Sequence, residues 1–158
     1  MNVLLVEDDA PSAAVVRRAL HFSGVRAHLD LVYDGVEAVE FLYAIGSYKW
    51  RASDARIDAV IIDLDIPRLS GLELMGVLRL HPATRRIPLV VLASSAEDER
   101  IADSERFSPD GIVRKPVAWM DLVKVLRTAW GSQRRGREPL PGRIPGSAAG
   151  STRGSPEL

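Results

Sequence analysis

The sequence predicts an α/β domain, a doubly wound parallel sheet of five strands with helices on both faces. Three observations carry this. Short runs of Val, Ile and Leu recur at residues 3–6, 59–62 and 89–92, the pattern of strands buried on both faces. Stretches of helical periodicity lie between them. The two kinds of segment alternate through five βα units, and right-handed crossovers then give a single sheet.

Taken in order, the first strand, residues 3–6, runs into Glu7, Asp8 and Asp9. Pro11 sits where a first helical turn tolerates proline, and the helix it opens, 11–22, places Val15, Ala19 and Phe22 on one stripe. Residues 29–33 make a weaker strand. Asp34-Gly-Val-Glu37 matches a capping box and starts a helix near 35. Residues 46–56 (GSYKWRASDAR) form a longer connection, with Tyr48 and Trp50 expected to lie against the domain surface. The third strand, 59–62, ends in Asp63-Leu-Asp65. Ser70-Gly-Leu-Glu73 is a second capping box, and Pro82 stops the helix that begins near 71. After the fourth strand, 89–92, a shorter polar helix at 97–107 is interrupted by Ser108-Pro-Asp-Gly111. A brief strand at 112–113 leads to Arg114-Lys115-Pro116. Trp119, Leu122, Val123, Leu126 and Trp130 recur at helical spacing and define a last amphipathic helix, with an apolar edge as a candidate contact surface. His21, His28 and His81 are scattered without ligand spacing, and Arg85-Arg86 reads as a solvated loop pair.

A chain of 158 residues with 46% apolar and 27% charged residues has the balance of one ordinary soluble domain. Lys plus Arg equals Asp plus Glu, 21 each, so no global charge steers it to nucleic acid or to an acidic membrane. The absence of cysteine excludes disulfides and thiolate metal sites. The N-terminal run carries no basic leader, and no stretch approaches the roughly 18 apolar residues of a membrane span. A cytoplasmic location is expected. The charge balance hides an asymmetry: residues 1–130 hold 16 basic and 19 acidic residues, residues 131–158 five arginines and two glutamates. That second segment is mostly Gly, Pro, Ser and Arg and has too little apolar surface to offset the entropy of ordering. The expected organisation is a domain over 1–130 and a disordered tail over 131–158, either a linker or a basic arm.

In an open parallel sheet, ligands sit beyond the carboxyl ends of the strands. The first strand ends in Glu7-Asp8-Asp9 and the third in Asp63-Leu-Asp65. If these strands are neighbours, the carboxylates converge and repel one another. A hard divalent cation, magnesium above all, relieves that repulsion through oxygen ligands. Lys115 brings an ammonium to the same edge. Acids, a cation and a lysine describe a phosphoryl-transfer site, where positioning and charge neutralisation do the chemistry.

With those residues in view, residues 2–130 resemble a response-regulator receiver domain. The match rests on Glu7-Asp8, on Asp63 ending an apolar strand, on the DLxIPxxSG continuation through Gly71, and on Lys115-Pro116. The resemblance implies a flavodoxin-like sheet of order 2-1-3-4-5. It also implies a signalling module, not an enzyme, of a two-component phosphorelay. Asp63 would be the phosphoacceptor, served by a sensor histidine kinase. Glu7, Asp8, Asp63 and the backbone carbonyl of Asp65 would hold magnesium, and Lys115, joined to Pro116 by a cis peptide, would pair with the phosphoryl group. A narrower likeness is to the stand-alone receivers that partner bacterial phytochrome-type kinases, carried by DGVEAVEFL, the long connection before the third strand, DLDIPRLSGLEL and HPATRRIPLVVL. A homodimer through the fourth helix, fifth strand and fifth helix is expected by the same analogy.

The sequence departs from the family at two places. Where the family carries a Thr or Ser at the end of the fourth strand, this chain has Ala93, followed by Ser94 and Ser95. Where the family carries an aromatic switch, it has Ile112. Either Ser94 swings in to bind the phosphoryl group, or the domain accepts phosphate with a weak conformational response. Asp65 is either a solvated loop acid or one that tunes attack of water on the acyl phosphate. Two other functions fit parts of the pattern. A pseudo-receiver would be a phosphorylation-independent interaction module, for which Ala93 speaks. A haloacid-dehalogenase-like phosphatase would use Asp63 as nucleophile and Asp65 as acid, but the order of motifs along the chain opposes it.

Overall fold

The computed structural model describes residues 1–24, 26–51, 56–104 and 106–135, with the backbone alone for Trp119 and 130–135. The elements are β1 (Asn2–Val6), α1 (Ala10–Phe22), β2 (His28–Val32), α2 (Gly35–Tyr43), a 3-10 turn (Gly46–Tyr48), β3 (Ala59–Asp63), α3 (Gly71–Leu80), β4 (Leu89–Ala93), α4 (Ala96–Ala102), β5 (Gly111–Arg114) and α5 (Trp119–Arg135). All strand pairs are parallel and the order is β2-β1-β3-β4-β5, as expected.

The continuous apolar runs serve two cores at once. Leu4, Val6, Val60, Ile62 and Val91 point to one face, where Phe41, Leu74, Met75, Leu78 and Phe107 cover them. Val3, Leu5, Ile61, Val90 and Leu92 point to the other, against Val16, Leu20, Leu122 and Leu126. Alternate residues of a strand face opposite ways, so a strand covered on both sides needs apolar residues at every position.

Local signals set most helix ends. Asp9 accepts from Ser12 N at 2.8 Å and caps α1. The Ser70 box is complete. The Asp34 box is half made: Asp34 accepts from Glu37 N, but Glu37 reaches one residue further, to Tyr33 N at 2.7 Å. His81, held extended before Pro82, ends α3.

Several expectations need correction. The buried stripe of α1 is Ala13, Val16, Ala19 and Leu20, while Phe22 is 54% exposed and Val15 half-buried. The helix is turned so that the 13-16-20 row meets the sheet. Tyr48 does pack on the domain, edge-on to Phe41 and bonded to Glu37, but Trp50 is 76% exposed. The polar helix stops at Ala102 instead of 107, because the chain must turn to seat Phe107 in the core. Helix α5 continues to Arg135, five residues past the boundary expected at 130. The rest of the expected tail, 136–158, and the packing of Trp119 and Trp130 lie outside the described residues.

Candidate functional site

The sheet ladder continues one residue past the strands and carries the key groups with it. Glu7 N donates to Val32 O at 3.1 Å, Leu64 N to Leu92 O at 3.2 Å, and Lys115 N to Ala93 O at 2.8 Å. Glu7, Asp63 and Lys115 are thus set at the carboxyl ends of β1, β3 and β5. Behind them, Gly71 opens α3 directly against the end of β3. Its N–H donates to Leu64 O at 3.1 Å, and a side chain there would run into the Asp63 carbonyl. The glycine is needed for close approach, at the first turn of the helix that backs β3.

Lys115 Nζ lies 2.7 Å from Asp63 Oδ2 and 3.1 Å from Glu7 Oε2. Glu7 and Asp63 are buried, at 0% and 2% exposure. Glu7 Oε1 accepts from Asp9 N at 3.0 Å. Among the described residues, two buried side-chain oxygens make no hydrogen bond, Asp63 Oδ1 and Glu7 Oε2, and the latter is ion-paired with Lys115 at 3.1 Å. Burial raises the Glu7 carboxyl above its ordinary value, the Asp9 N–H and Lys115 oppose that, and the charge of Asp63 adds to it. Burial works against the charge on Lys115, but the bond to Asp63 and the negative charges of Asp63 and Glu7 outweigh it and hold its pKa above the ordinary lysine value.

Ligand oxygens of Glu7, Asp8 and Asp63 lie within 4.8 Å of one another. An all-oxygen set from three carboxylates, with the buried Asp63 Oδ1 left without a hydrogen bond, fits a hard divalent cation. One ammonium does not balance three acids, so a dication suits the remaining charge. The Lys115–Pro116 peptide is cis. Asp65 is exposed, and its carboxylate accepts from Ser94 Oγ at 2.6 Å. Ala93 is fully buried at the end of β4, and Ile112 packs against the same core from β5.

Sequence reasoning brought Glu7, Asp8, Asp63 and Lys115 together correctly. It missed the Asp65–Ser94 bond and the Glu99–Arg114 ion pair that ties α4 to β5, in which Arg114 Nε meets Glu99 at 2.7 Å. Neither pair has a local signal, because the partners are 29 and 15 residues apart.

Such a sheet, with an acid pair, a buried aspartate and a lysine at neighbouring strand ends, defines a phosphoryl-accepting signalling module. The chain belongs to the response regulator receiver domain family, whose model matches residues 3–127. It is a receiver domain of two-component signalling, not a catalytic enzyme. It is 28% identical over 125 residues to the response regulator Rcp1 of Synechocystis sp., covering 79% of this chain and 83% of Rcp1. It is 34% identical over 128 residues to the response regulator MprA of Mycobacterium avium, covering 80% of this chain but 50% of MprA, so it spans about half the length of that relative. Among solved structures it resembles the bacteriophytochrome response regulator RtBRR, with a TM-score of 0.76 and 27% identity over 92% of this chain and 83% of that one. It also resembles a Mn(2+)-bound form of Rcp1, with a TM-score of 0.66 and 27% identity over 89% and 99% of the two chains. Among the described residues, no helix is long and apolar enough to cross a membrane.

Proposed function

We propose that Asp63 is the phosphoacceptor of this receiver, served by a sensor histidine kinase of the phytochrome type. One carboxylate oxygen of Asp63 attacks the phosphorus of a phosphohistidine. The P–N bond breaks, its electron pair returns to the imidazole, and an acyl phosphate remains on Asp63. The observation that carries this reading is the Asp63 carboxylate itself. It is buried, with one oxygen on Lys115 at 2.7 Å and the other unpartnered beside Glu7 and Asp8.

Glu7, Asp8, Asp63 and the backbone carbonyl of Asp65 would hold magnesium, which when bound supplies neutralising charge and a template for the phosphoryl oxygens. The Mn(2+)-bound form of Rcp1 supports a divalent cation. Glu7 also holds Lys115 in place, so the ammonium can follow the charge from the carboxylate to the phosphoryl group. The likeness to RtBRR and Rcp1 supports a phytochrome-type kinase as partner, and cytoplasmic location goes with that role. Homodimerisation through the α4-β5-α5 face is supported by the exposed Ile101 and Met120, on α4 and α5. Light scattering over a concentration series should show a dimer, and a strictly monomeric chain would remove that part.

Ala93 favours a second reading, the pseudo-receiver, and one experiment separates the two. With Mg2+ and acetyl phosphate or a candidate kinase, the wild-type protein should be labelled and Asp63→Asn should not. Failure of the wild type to take label from either donor would establish the pseudo-receiver.

A further inference from the structure

The loop that follows Asp63, residues 64–70, carries Asp65, whose backbone carbonyl completes the proposed cation site. Leu64 and Ile66, on either side of Asp65, are buried, and Gly71 N closes the loop on Leu64 O at 3.1 Å. The second half of the loop holds a strained residue. Leu69 N donates to Pro67 O at 2.9 Å across Arg68, whose φ is 67°. A bond that spans a single residue of positive φ marks the rare, strained form of the γ-turn. Positive φ burdens a residue that has a side chain, as it does not burden glycine. Such strain persists only where the surroundings enforce it.

The surroundings here are the start of α2. Arg68 Nη1 donates to Asp34 Oδ2 at 3.0 Å, and that aspartate side chain is 14% exposed. The other oxygen, Asp34 Oδ1, accepts from Glu37 N at 2.7 Å, so one carboxylate caps α2 and holds Arg68 at once. One residue on, Gly35 N donates to Pro67 O at 3.4 Å, and a side chain at Gly35 would collide with the Leu69 carbonyl. The loops that follow β2 and β3 are thus joined at the strained turn. Arg68 itself is 60% exposed, and a pair of that kind adds little to global stability. What the pair opposes is the return of Arg68 to negative φ. That relaxation would displace the peptide units just before it, and the Asp65 carbonyl with them.

We propose that the Asp34–Arg68 pair is a strap that holds this strained turn and thereby sets the Asp65 carbonyl for the divalent cation. Asp34 and Arg68 are then positioning residues, and neither is a ligand. The inference rests on the divalent-cation reading of the site and adds what holds its loop in place. The charge of Arg68 separates the strap from a purely electrostatic role. A guanidinium near a dication repels it, so by charge alone its removal would tighten cation binding. The strap requires the opposite sign.

The test uses the full 158-residue chain and magnesium chloride, with affinity read by titration calorimetry. In Arg68→Ala the dissociation constant should rise at least about fivefold, the scale expected when a residue that orients a ligand is lost. Arg68→Gly also lacks the pair, but glycine adopts positive φ without strain and needs no strap, so it should recover most of that loss. A second measurement needs no metal. In the metal-free protein, hydrogen exchange at the Leu69 amide should be faster in Arg68→Ala than in wild type. The proposal falls if Arg68→Ala binds magnesium as tightly as wild type or more tightly. It falls equally if the Leu69 amide exchanges at the wild-type rate, or if Arg68→Gly loses as much affinity as Arg68→Ala. Absence of magnesium binding in wild type would instead overturn the cation reading, and the strap with it.

Discussion

Asp63 is placed by three separate constraints: the β3 ladder, the bare backbone of Gly71 behind it, and Lys115 in front. Adding one methyl group at Gly71 should therefore be felt at once. Gly71→Ala forces a shift between α3 and the end of β3 and should cost about 1–3 kcal/mol. Denaturant unfolding measures it, with a reduced phospholabelling rate if Asp63 moves too. Glu7 gives a pH signature. Its carboxyl is held above the ordinary range, chiefly by burial, so it takes up a proton earlier as pH falls. Magnesium affinity should decline over that range, and binding should release a proton. Titration calorimetry at several pH values checks this. Glu7→Gln should flatten the dependence, whereas Asp8→Asn should weaken binding and leave the dependence in place. For the metal-free protein the sign is reversed. A raised folded-state pKa makes Glu7 bind its proton more tightly when folded, so stability rises as pH falls through that pKa and the gain is absent above it.

At the scale of elements, Arg79, on the last turn of α3, joins several segments. It donates to the carbonyls of Phe107, Arg85, Ile87 and Ser108 and pairs with Asp110 at 3.0 Å. Asp110 in turn accepts from Leu89 N at 2.9 Å. One guanidinium thus ties α3 to the start of β4 and to the loop between α4 and β5. Its fork of donors suits several carbonyls at once, which a lysine could not serve. Arg79→Ala should cost about 2–4 kcal/mol by leaving these acceptors and Asp110 unpaired. Hydrogen exchange should quicken at 106–110 first, since that loop depends on it most. Nothing in the sequence marks Arg79 out, because its partners lie up to 31 residues away. The capping signals were legible because Asp34-to-Glu37 and Ser70-to-Glu73 are local. The inward face of α1 was misread because Ala13 and Val16, not the bulkier Phe22, suit the close approach to α5.

For the whole molecule, a cation held by the acid cluster as proposed should make stability depend on it. A ligand that binds only the folded state at a hundred times its dissociation constant adds about 2.7 kcal/mol. Magnesium should raise the melting temperature accordingly, and Asp8→Asn should lose most of that rise. Thermal melts across a magnesium series test it. The sequence by itself determined the five βα units, because two-faced strands require unbroken apolar runs and helix caps are local chemistry. It pointed to the acids and the lysine too, because each stands at or within two residues of the carboxyl end of a strand. Only the tertiary structure decided that Lys115 reaches both Asp63 and Glu7, that the buried Asp63 Oδ1 is left without a hydrogen bond, and that Asp65 holds Ser94. The physical reason is range: strand periodicity and capping act over a few residues, whereas those contacts follow from sheet register and from which strand ends lie side by side.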